Sequence, residues 1–277
     1  MIQFQTEKIS NRVTRIYGIY GAVGEQMYLV EGKDKAALID TGSGVGDLER
    51  CIRLLTKLPV TVLLTHAHFD HAMGAPQFDE VFMSFLDKDL YREHASMELR
   101  KACIATSPKF ADVEDGDYVP VRSADYFRDL RDGDTFDLGG LTIEAVSCAG
   151  HSPGSMMFLI HEERALIAGD ACNFFTMMQD KSCLALSTFE KNLKSANERT
   201  RGKYNKVFLS HARVTTPVSL IGNVLEVCRE IKEGRDDKIP FDFLGTKGFV
   251  AKAYHSNYMR TDGGFGNIVY NPDRIWE

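Results

Sequence analysis

The feature that most constrains this chain is a run of seven residues, 65–71, in which four side chains can bind a metal ion. These four are His66, His68, Asp70 and His71. A continuous helix would divide them between two of its faces, whereas a turn at the end of a strand can gather them around one point. The preceding residues, 61–64, are β-branched and aliphatic and predict a buried strand. We therefore expect the cluster on a loop at the carboxyl end of that strand.

The composition of this cluster favours a metal site. A single His in such a loop would be ordinary polar surface, and this is the alternative interpretation of the segment. Three imidazoles and one carboxylate within six positions are an unusual concentration for a plain surface. Imidazole combined with carboxylate suits zinc or iron.

The order His-x-His-x-Asp-His resembles the signature of the metallo-β-lactamase-fold superfamily, and four further segments match other motifs of that family in the same order. These are Leu38-Ile39-Asp40-Thr41-Gly42, Gly150-His151-Ser152-Pro153-Gly154-Ser155, Ala168-Gly169-Asp170 and Leu209-Ser210-His211-Ala212. Five ordered motifs are a much more specific signal than one. The resemblance implies an α/β fold, a four-layer αβ/βα sandwich in which two mixed sheets lie between helices and the site lies at one edge.

The resemblance also implies a centre with two divalent metal ions. The ligands that it assigns to the first ion are His66, His68 and His151. The ligands that it assigns to the second ion are Asp70, His71 and His211. Asp170 would bridge both ions, and Asp40 would orient a ligand or support its loop.

Such a ligand set leaves open positions on both ions, whereas a structural zinc would be closed by four ligands. The expected chemistry is hydrolysis, in which a metal-bridging hydroxide attacks a carbonyl carbon and the ions stabilise the oxyanion and the leaving group. Asp70 is expected to be a ligand that also accepts or donates a proton. The flavo-diiron members of the superfamily have Glu where this chain has His68, which favours zinc over iron; iron and manganese are the alternatives.

The segment around His151 resembles that of thioesterases of the glyoxalase II kind and of lactonases. It predicts a hydrolase of a small ester, thioester or lactone. The chain departs from the family pattern at Ala149, where Pro is frequent, and in the fifth motif, which lacks the usual glycines around His211. The alternatives are a metal-dependent phosphodiesterase or nuclease, and a non-catalytic metal-binding sensor of the same fold.

Composition narrows the class of partner. Hydrophobic residues make up 44% of the chain and charged residues 26%, as in soluble globular proteins. A formal charge of -6 does not favour binding to nucleic acid. No apolar run approaches the ~20 residues of a membrane span, no secretory signal pattern opens the chain, and the six cysteines form no CxxC pair. We expect a cytoplasmic enzyme with a small-molecule substrate and no nucleic-acid or membrane partner; the oligomeric state stays open.

The order of predicted elements is that of a layered α/β domain. Strands are predicted at 13–20, 26–30, 36–39, 61–64, 81–85, 135–138, 141–147, 156–160, 165–168 and 207–209. Helices are predicted at 47–58, 87–102, 189–201 and 217–233. We expect residues 1–237 to form the hydrolase domain and residues 238–277 to form a small β-rich extension packed on it.

Substrate contacts are expected from segments outside the ligand motifs. One is a loop or lid at 106–124. Another is the apolar stretch at 171–178, which has no clean periodicity and is expected to form a wall of the substrate pocket, with an apolar loop packed under the sheet as the alternative. In the C-terminal extension the candidates are Tyr254, His255 and Tyr258. His94 and His161 are expected to be packing or surface residues and not metal ligands.

Overall fold

The computed structural model describes residues 4–18, 24–107, 113–212 and 215–277. In these ranges the chain folds into three sheets and six α-helices. The first sheet contains β1 (Gln5–Lys8), β2 (Val13–Gly18), β3 (Glu25–Glu31), β4 (Ala36–Ile39), β5 (Val60–Leu63), β6 (Val81–Met83) and β7 (Arg128–Asp129). The second contains β8 (Thr135–Asp137), β9 (Thr142–Ser147), β10 (Met156–Ile160), β11 (Ala165–Gly169), β13 (Lys206–Leu209) and β14 (Thr215–Thr216).

The remaining elements are a smaller sheet and the helices. The third sheet contains β12 (Phe175–Met178), β15 (Ile239–Phe243), β16 (Thr246–Val250) and β17 (Asn267–Tyr270). The helices are α1 (Leu48–Leu55), α2 (Phe69–Ala72), α3 (Lys88–His94), α4 (Met97–Ile104), α5 (Leu186–Thr200) and α6 (Leu220–Lys232). None of the helices in the described ranges combines the length and apolar character that a membrane crossing requires.

Both large sheets are mixed. In the first, β1 to β4 are antiparallel neighbours, and β4 to β7 run parallel. The crossover between β4 and β5 contains α1, as parallel neighbours require. In the second, β8 to β11 are antiparallel, and β11 pairs in parallel with β13 across a crossover that contains α5.

The two large sheets pack face to face between layers of helices. Along β4, Ala37 and Ile39 lie in the core between the sheets, whereas Leu38 lies in the core beneath the helices. This alternation follows from the two-residue period of a strand. The first helical layer buries Leu48 and Ile52 of α1, and the other buries side chains of α5 and α6. The predicted four-layer sandwich is therefore confirmed.

The third sheet joins the C-terminal residues to an earlier part of the chain. β12 pairs in parallel with β17, and Phe249 of β16 pairs with Tyr270 of β17. The alternative interpretation of 171–178, an apolar loop, does not hold for Phe175–Met178, because these residues form a strand of this sheet. These four residues lack an alternating pattern because three of them are buried. The division of the chain at residue 238 stays a prediction.

The helix predicted over 87–102 is two helices, α3 and α4. The break falls at Ala95 and Ser96, where Ser96 leaves helical geometry and its hydroxyl accepts a hydrogen bond from the N–H of Leu99. Serine competes for backbone hydrogen bonds and favours such a cap over a helix interior. Asp87 lies in a 3-10 turn before α3, and it is fully buried.

Two predictions fall partly outside the described residues. The strand predicted at 13–20 extends to Gly18, and its last two residues are not described. The predicted loop at 106–124 includes residues 108–112, which are not described either. Beyond them, Tyr118 and Val119 are buried, and Tyr118 forms an isolated bridge with Val45. The described end of this segment is therefore fixed to the body of the protein.

Candidate metal centre

The edge of the sandwich collects the loops that carry the predicted ligands. Asp40 follows β4 and His66 lies just beyond β5; these strands are parallel neighbours, so their carboxyl ends meet. Asp170 and His211 follow β11 and β13, which are also parallel neighbours. His151 lies between β9 and β10. The carboxyl ends of parallel strands thus bring distant motifs to one place.

The cluster at 65–71 is not wholly a loop. His66 and His68 lie on a loop after β5, as predicted, but Asp70 and His71 lie on the single turn of α2. The carbonyl of His68 accepts the N–H groups of His71 and Ala72 at 3.1 and 3.0 Å, which closes this turn. The turn satisfies backbone groups that a buried irregular loop would leave without partners.

His66, His68 and His151 form one group of nitrogen donors. Their donor atoms all lie within 4.8 Å of one another. Nδ1 of His68 lies 2.9 Å from Nε2 of His66 and 2.9 Å from Nε2 of His151. On the outer side, Nδ1 of His151 lies 2.6 Å from the carbonyl oxygen of Met177. Since that nitrogen must donate its proton to the carbonyl, Nε2 of neutral His151 presents a lone pair to the group.

Asp70, His71 and His211 form a second group within the same distance limit. Nε2 of His71 lies 3.1 Å from Nε2 of His211. The other ring nitrogens are engaged outside the group: Nδ1 of His71 contacts Asp40 at 2.8 Å, and Nδ1 of His211 contacts the carbonyl oxygen of Gly24 at 2.6 Å. Each ring therefore directs Nε2 inward and holds its other nitrogen on the protein.

Asp170 lies between the two groups. Its Oδ2 lies 3.2 Å from Nε2 of His211, 3.7 Å from Nε2 of His71 and 3.8 Å from Nε2 of His151. Its Oδ1 accepts a hydrogen bond of 3.1 Å from the side-chain amide of Asn173. One carboxylate is thus within reach of imidazoles from both groups.

Asp40 lies directly behind this centre, and the supporting role that the resemblance implies for it stays a prediction. Its carboxylate accepts the N–H of Thr65 at 2.7 Å and the hydroxyl of Thr65 at 2.8 Å, in addition to its contact with His71. Asp40 has a φ of 61°, a conformation that costs energy in a residue with a side chain. The interactions of the carboxylate offset that cost and fix the turn after β4.

The electrostatics of the centre fit a bound cation. Burial and the neighbouring rings His71 and His68 lower the pKa of His66. Burial lowers the pKa of His211 too, but Asp170 and Asp70 outweigh it and raise the pKa to about 9. Burial raises the pKa of Asp170, but His211 and His71 bring it well below the usual range.

The negative charges of Asp70 and Asp170 therefore favour a positive charge at the second group. Without a metal, that charge is a proton on an imidazole that already has its other nitrogen engaged. Divalent cations would supply the charge and use the inward lone pairs that the outer contacts create. Imidazole and carboxylate donors are those that zinc, iron and manganese accept.

Some residues at the centre carried no recognised sequence signal. Asp87 accepts hydrogen bonds from both of the loops that carry His66, His68 and His151. Glu25 is buried, and its carboxyl accepts the N–H and hydroxyl of Ser43 at 2.8 and 3.1 Å. Burial and then Asp70 raise the pKa of Glu25 to about 8. Neither residue lies in one of the five motifs, so only the fold reveals them.

His94 lies closer to the centre than the sequence indicates. Its Nδ1 accepts the N–H of Phe69 at 3.1 Å, and its ring stacks on that of His68 with centroids 4.7 Å apart. It is thus a packing residue, as expected, but one that contacts a candidate ligand. His161 lies elsewhere and contacts Glu144 at 2.9 Å.

The predicted substrate residues lie on the C-terminal segment. The rings of Tyr254 and Tyr258 stack 6.1 Å apart, and both contact Phe175 edge-on at 5.3 and 5.2 Å. His255 is exposed. Phe175 lies two residues before Met177, whose carbonyl contacts His151. β12 therefore connects this aromatic group to the centre.

Comparison with known proteins agrees with the motif pattern. The sequence profile of the Metallo-beta-lactamase superfamily matches residues 20–211. An atrochrysone carboxyl ACP thioesterase of Aspergillus novofumigatus is 31% identical over 172 residues, which is 59% of this chain and 44% of the relative. A lactamase-like protein of Penicillium aethiopicum is 31% identical over 183 residues, 62% of this chain and 50% of the relative. The chain thus spans about half the length of these relatives.

Solved structures share the fold. A metallo-beta-lactamase from Pontibacter korlensis superposes with a TM-score of 0.58 at 20% identity, covering 81% of this chain and 98% of that one. An archaeal metallo-beta-lactamase superfamily protein from Sulfolobus tokodaii superposes with a TM-score of 0.54 at 17% identity, covering 79% of this chain and 84% of that one.

Proposed function

The chain belongs to the metallo-beta-lactamase superfamily, and we propose that it is a dinuclear metal-dependent hydrolase of a small ester, thioester or lactone. The observation that carries the proposal is the pair of three-donor groups with Asp170 between them. A closed structural site would need only one group of four ligands. Two open groups beside one carboxylate suit a reaction centre.

The proposed ligands follow the two groups. His66, His68 and His151 would hold one divalent ion, and Asp70, His71 and His211 the other. Asp170 would contact both. Two such ions, zinc by preference and iron or manganese as alternatives, would lower the pKa of a bound water to about 7 and polarise the carbonyl group of the substrate.

The chain's own residues supply position and proton handling. The engaged Nδ1 atoms of His71, His151 and His211 keep these rings from turning, so the donor geometry exists before the substrate arrives. The side chain of Asp70 is 25% exposed, more than the 14% of Asp170. We assign to Asp70 the role of a ligand that also accepts or donates a proton at its carboxylate, because solvent and substrate can reach it.

A thioester is the substrate class that we favour. Several relatives that match more than half of this chain are named acyl-carrier-protein thioesterases. The aromatic group of Phe175, Tyr254 and Tyr258 offers an apolar surface next to the loop of His151. We propose that residues 1–237 form the hydrolase domain and that 238–277 pack on it and contribute this surface.

The test combines metal analysis with a substrate panel. Protein purified without chelator should contain close to two metal ions per chain, as measured by inductively coupled plasma mass spectrometry. It should hydrolyse thioesters, and with lower preference esters or lactones, faster than β-lactams and phosphodiesters in the presence of zinc, manganese or iron. Asp170→Ala should abolish turnover and keep the circular dichroism spectrum of the wild type.

The exposed residue Asp89 supplies the matched control, since Asp89→Ala should change neither metal content nor rate. Clearly less than one ion per chain would refute the dinuclear proposal. Selective cleavage of phosphodiesters would favour the phosphodiesterase alternative. Two bound ions without turnover on any substrate of the panel would favour the metal-binding sensor.

A further inference from the structure

Asp87 is a fully buried carboxylate that lies outside all five sequence motifs. It ends the 3-10 turn between β6 and α3. Its Oδ2 accepts the N–H of Ala67 at 3.1 Å and the hydroxyl of Ser152 at 2.7 Å, and its Oδ1 accepts the N–H of Gly154 at 2.6 Å. Three hydrogen-bond donors thus converge on the carboxylate of Asp87.

These donors belong to two loops that are far apart in sequence. Ala67 lies between His66 and His68, whereas Ser152 and Gly154 follow His151. The three imidazoles are those of the first donor group, so the carboxylate joins the loops that carry all of them. We propose that Asp87 is the positioning residue of this group and sets the separation of its two loops before metal binds.

The glycine at position 154 supports this assignment. A Cβ atom there would lie 2.7 Å from Cγ of Asp87 and 2.9 Å from Cβ of Ser84. The backbone of the loop therefore approaches the carboxylate as closely as a residue without a side chain allows. Ser152 also contacts the hydroxyl of Ser155 at 2.9 Å, which holds its own hydroxyl near Asp87.

The second donor group has different supports. His71 is held by Asp40, and His211 by the carbonyl oxygen of Gly24. Neither contact involves Asp87. Removal of the Asp87 carboxylate should therefore weaken metal binding at the first group and leave binding at the second unchanged. A general loss of stability would not distinguish between the groups.

Asp87→Asn tests this with minimal change in volume. An amide has one oxygen and one NH2 group, so it can accept only one of the two backbone N–H groups and must oppose the other. The measurement is zinc affinity, by competition with a chromogenic chelator, in two backgrounds of the full-length chain. His211→Ala retains the first group, and His151→Ala retains the second.

In the His211→Ala background, Asp87→Asn should weaken zinc binding about 10- to 100-fold, the usual effect of losing a partner of metal ligands. In the His151→Ala background it should change zinc affinity less than twofold. Asp89→Asn, an exposed aspartate on α3, is the matched control and should have no effect in either background. Ser152→Ala removes a single hydrogen-bond donor to Asp87. It should cause a smaller loss of zinc affinity, and only in the His211→Ala background.

Equal zinc affinity with and without the Asp87→Asn substitution in the His211→Ala background would overturn the inference, and so would equal losses in both backgrounds. If Asp87→Asn does not fold, the Ser152→Ala result decides by the same comparison. The inference rests on the proposed metal centre. If the wild-type chain binds neither zinc, iron nor manganese, both proposals fail; if it binds two ions and Asp87→Asn has no selective effect, only this one fails.

Discussion

His71 and Asp40 are joined by a buried contact of 2.8 Å between Nδ1 of the imidazole and Oδ2 of the carboxylate. Burial lowers the pKa of His71, but Asp40 and Asp70 outweigh it and raise the pKa well above its usual value. Asp40 thus fixes both the orientation of the ring and the nitrogen that carries its proton. A divalent ion would replace the proton on the inward Nε2 and use that nitrogen as its ligand.

Asp40→Asn should therefore weaken zinc binding at the second donor group about 10- to 100-fold. The loss at the first group should be smaller, because Asp40 reaches His66 only through the hydroxyl of Thr65, which lies 3.1 Å from Nδ1 of His66. Competition titration in the His151→Ala background reports on the second group, and titration in the His211→Ala background on the first. The larger loss of zinc affinity should thus fall on the second group for Asp40→Asn and on the first group for Asp87→Asn. Identical effects of the two substitutions in both backgrounds would contradict the separate supports described for the two groups.

Glu25→Gln should change the pH dependence of stability. The pKa of Glu25 is raised from 4.5 to about 8, first by burial and then by Asp70. The folded chain therefore holds this proton more tightly than the unfolded chain. The resulting stabilisation is complete below about pH 4.5 and is lost as the pH rises towards about 8. Glutamine resembles the protonated carboxyl and should not show this loss.

The measurement is thermal unfolding of the wild type and of Glu25→Gln between pH 4.5 and 9. Both proteins are first dialysed against a chelator, so that only charges of the protein itself act on Glu25. The variant should gain stability relative to the wild type as the pH rises, on the order of 4 kcal/mol at pH 8. A flat difference for Glu25→Gln would show that its pKa is not raised.

Arg100→Leu should destabilise the fold. Arg100 is fully buried, and its guanidinium donates to the carbonyl oxygens of Val119, Gly44 and Ser43 at 2.8, 2.9 and 3.4 Å. Leucine would leave these buried acceptors without donors, at a cost of about 2–5 kcal/mol. We expect a fall in Tm of roughly 5–15 °C by differential scanning calorimetry.

The exposed Arg92, paired with Asp89 on α3, provides the comparison. Arg92→Leu should cost less than about 0.5 kcal/mol, since exposed ion pairs contribute little. Equal Tm values for the two variants would mean that the buried guanidinium does not hold the segment of Val119 against the loop of Gly44.

Local patterns predicted much of this molecule. The layered architecture follows from alternating strands and amphipathic helices, and the seven candidate ligands lie in four of the five short motifs. Local pattern failed where long-range pairing decides the structure. β12 has no alternation because it is buried between other elements, and it forms only when β17, nearly one hundred residues later, pairs with it. Ser96 ended a helix that its amphipathic surroundings predicted as continuous.

Apart from Asp40, which lies in the first motif, the groups that support the site could not be identified from local sequence patterns either. The partners of His151 and His211 are the carbonyl oxygens of Met177 and Gly24, and every residue type has a carbonyl. Asp87 is one aspartate among many until the fold brings two loops to it. Side chains that bind metal are chemically distinctive, whereas the groups that orient them are not.

Tyr258→Ala should alter substrate preference. Tyr258 is 39% exposed, and its ring contacts Phe175 and stacks on Tyr254. Loss of one aromatic contact is worth about 0.5–1.5 kcal/mol, so kcat/KM for aromatic acyl thioesters should fall about 2- to 12-fold. The rate with an acetyl thioester should change less than twofold. Leu54→Ala, exposed on α1, should leave both rates unchanged. Equal losses on both substrates would contradict a contact between Tyr258 and the acyl group of the substrate.

Gly150→Ala should disturb the metal centre through a clash in the hydrophobic core. A Cβ atom at Gly150 would lie 2.3 Å from Cδ2 of Phe189, which is completely buried under the second sheet. One of the two must move, and His151 follows Gly150 directly in the chain. Overpacking of this kind costs about 1–3 kcal/mol. We expect lower stability together with weaker zinc binding in the His211→Ala background.

A double-mutant cycle with Phe189→Leu tests the cause. The smaller side chain should remove the clash, so the double variant should be destabilised by less than the sum of the single changes and should regain part of its zinc affinity. Both quantities come from thermal unfolding and from competition titration. Leu193→Ala, in the same core but one turn further along α5, creates a cavity away from Gly150 and should be additive with Gly150→Ala. Additivity with Phe189→Leu as well would exclude the contact as the cause of the metal effect.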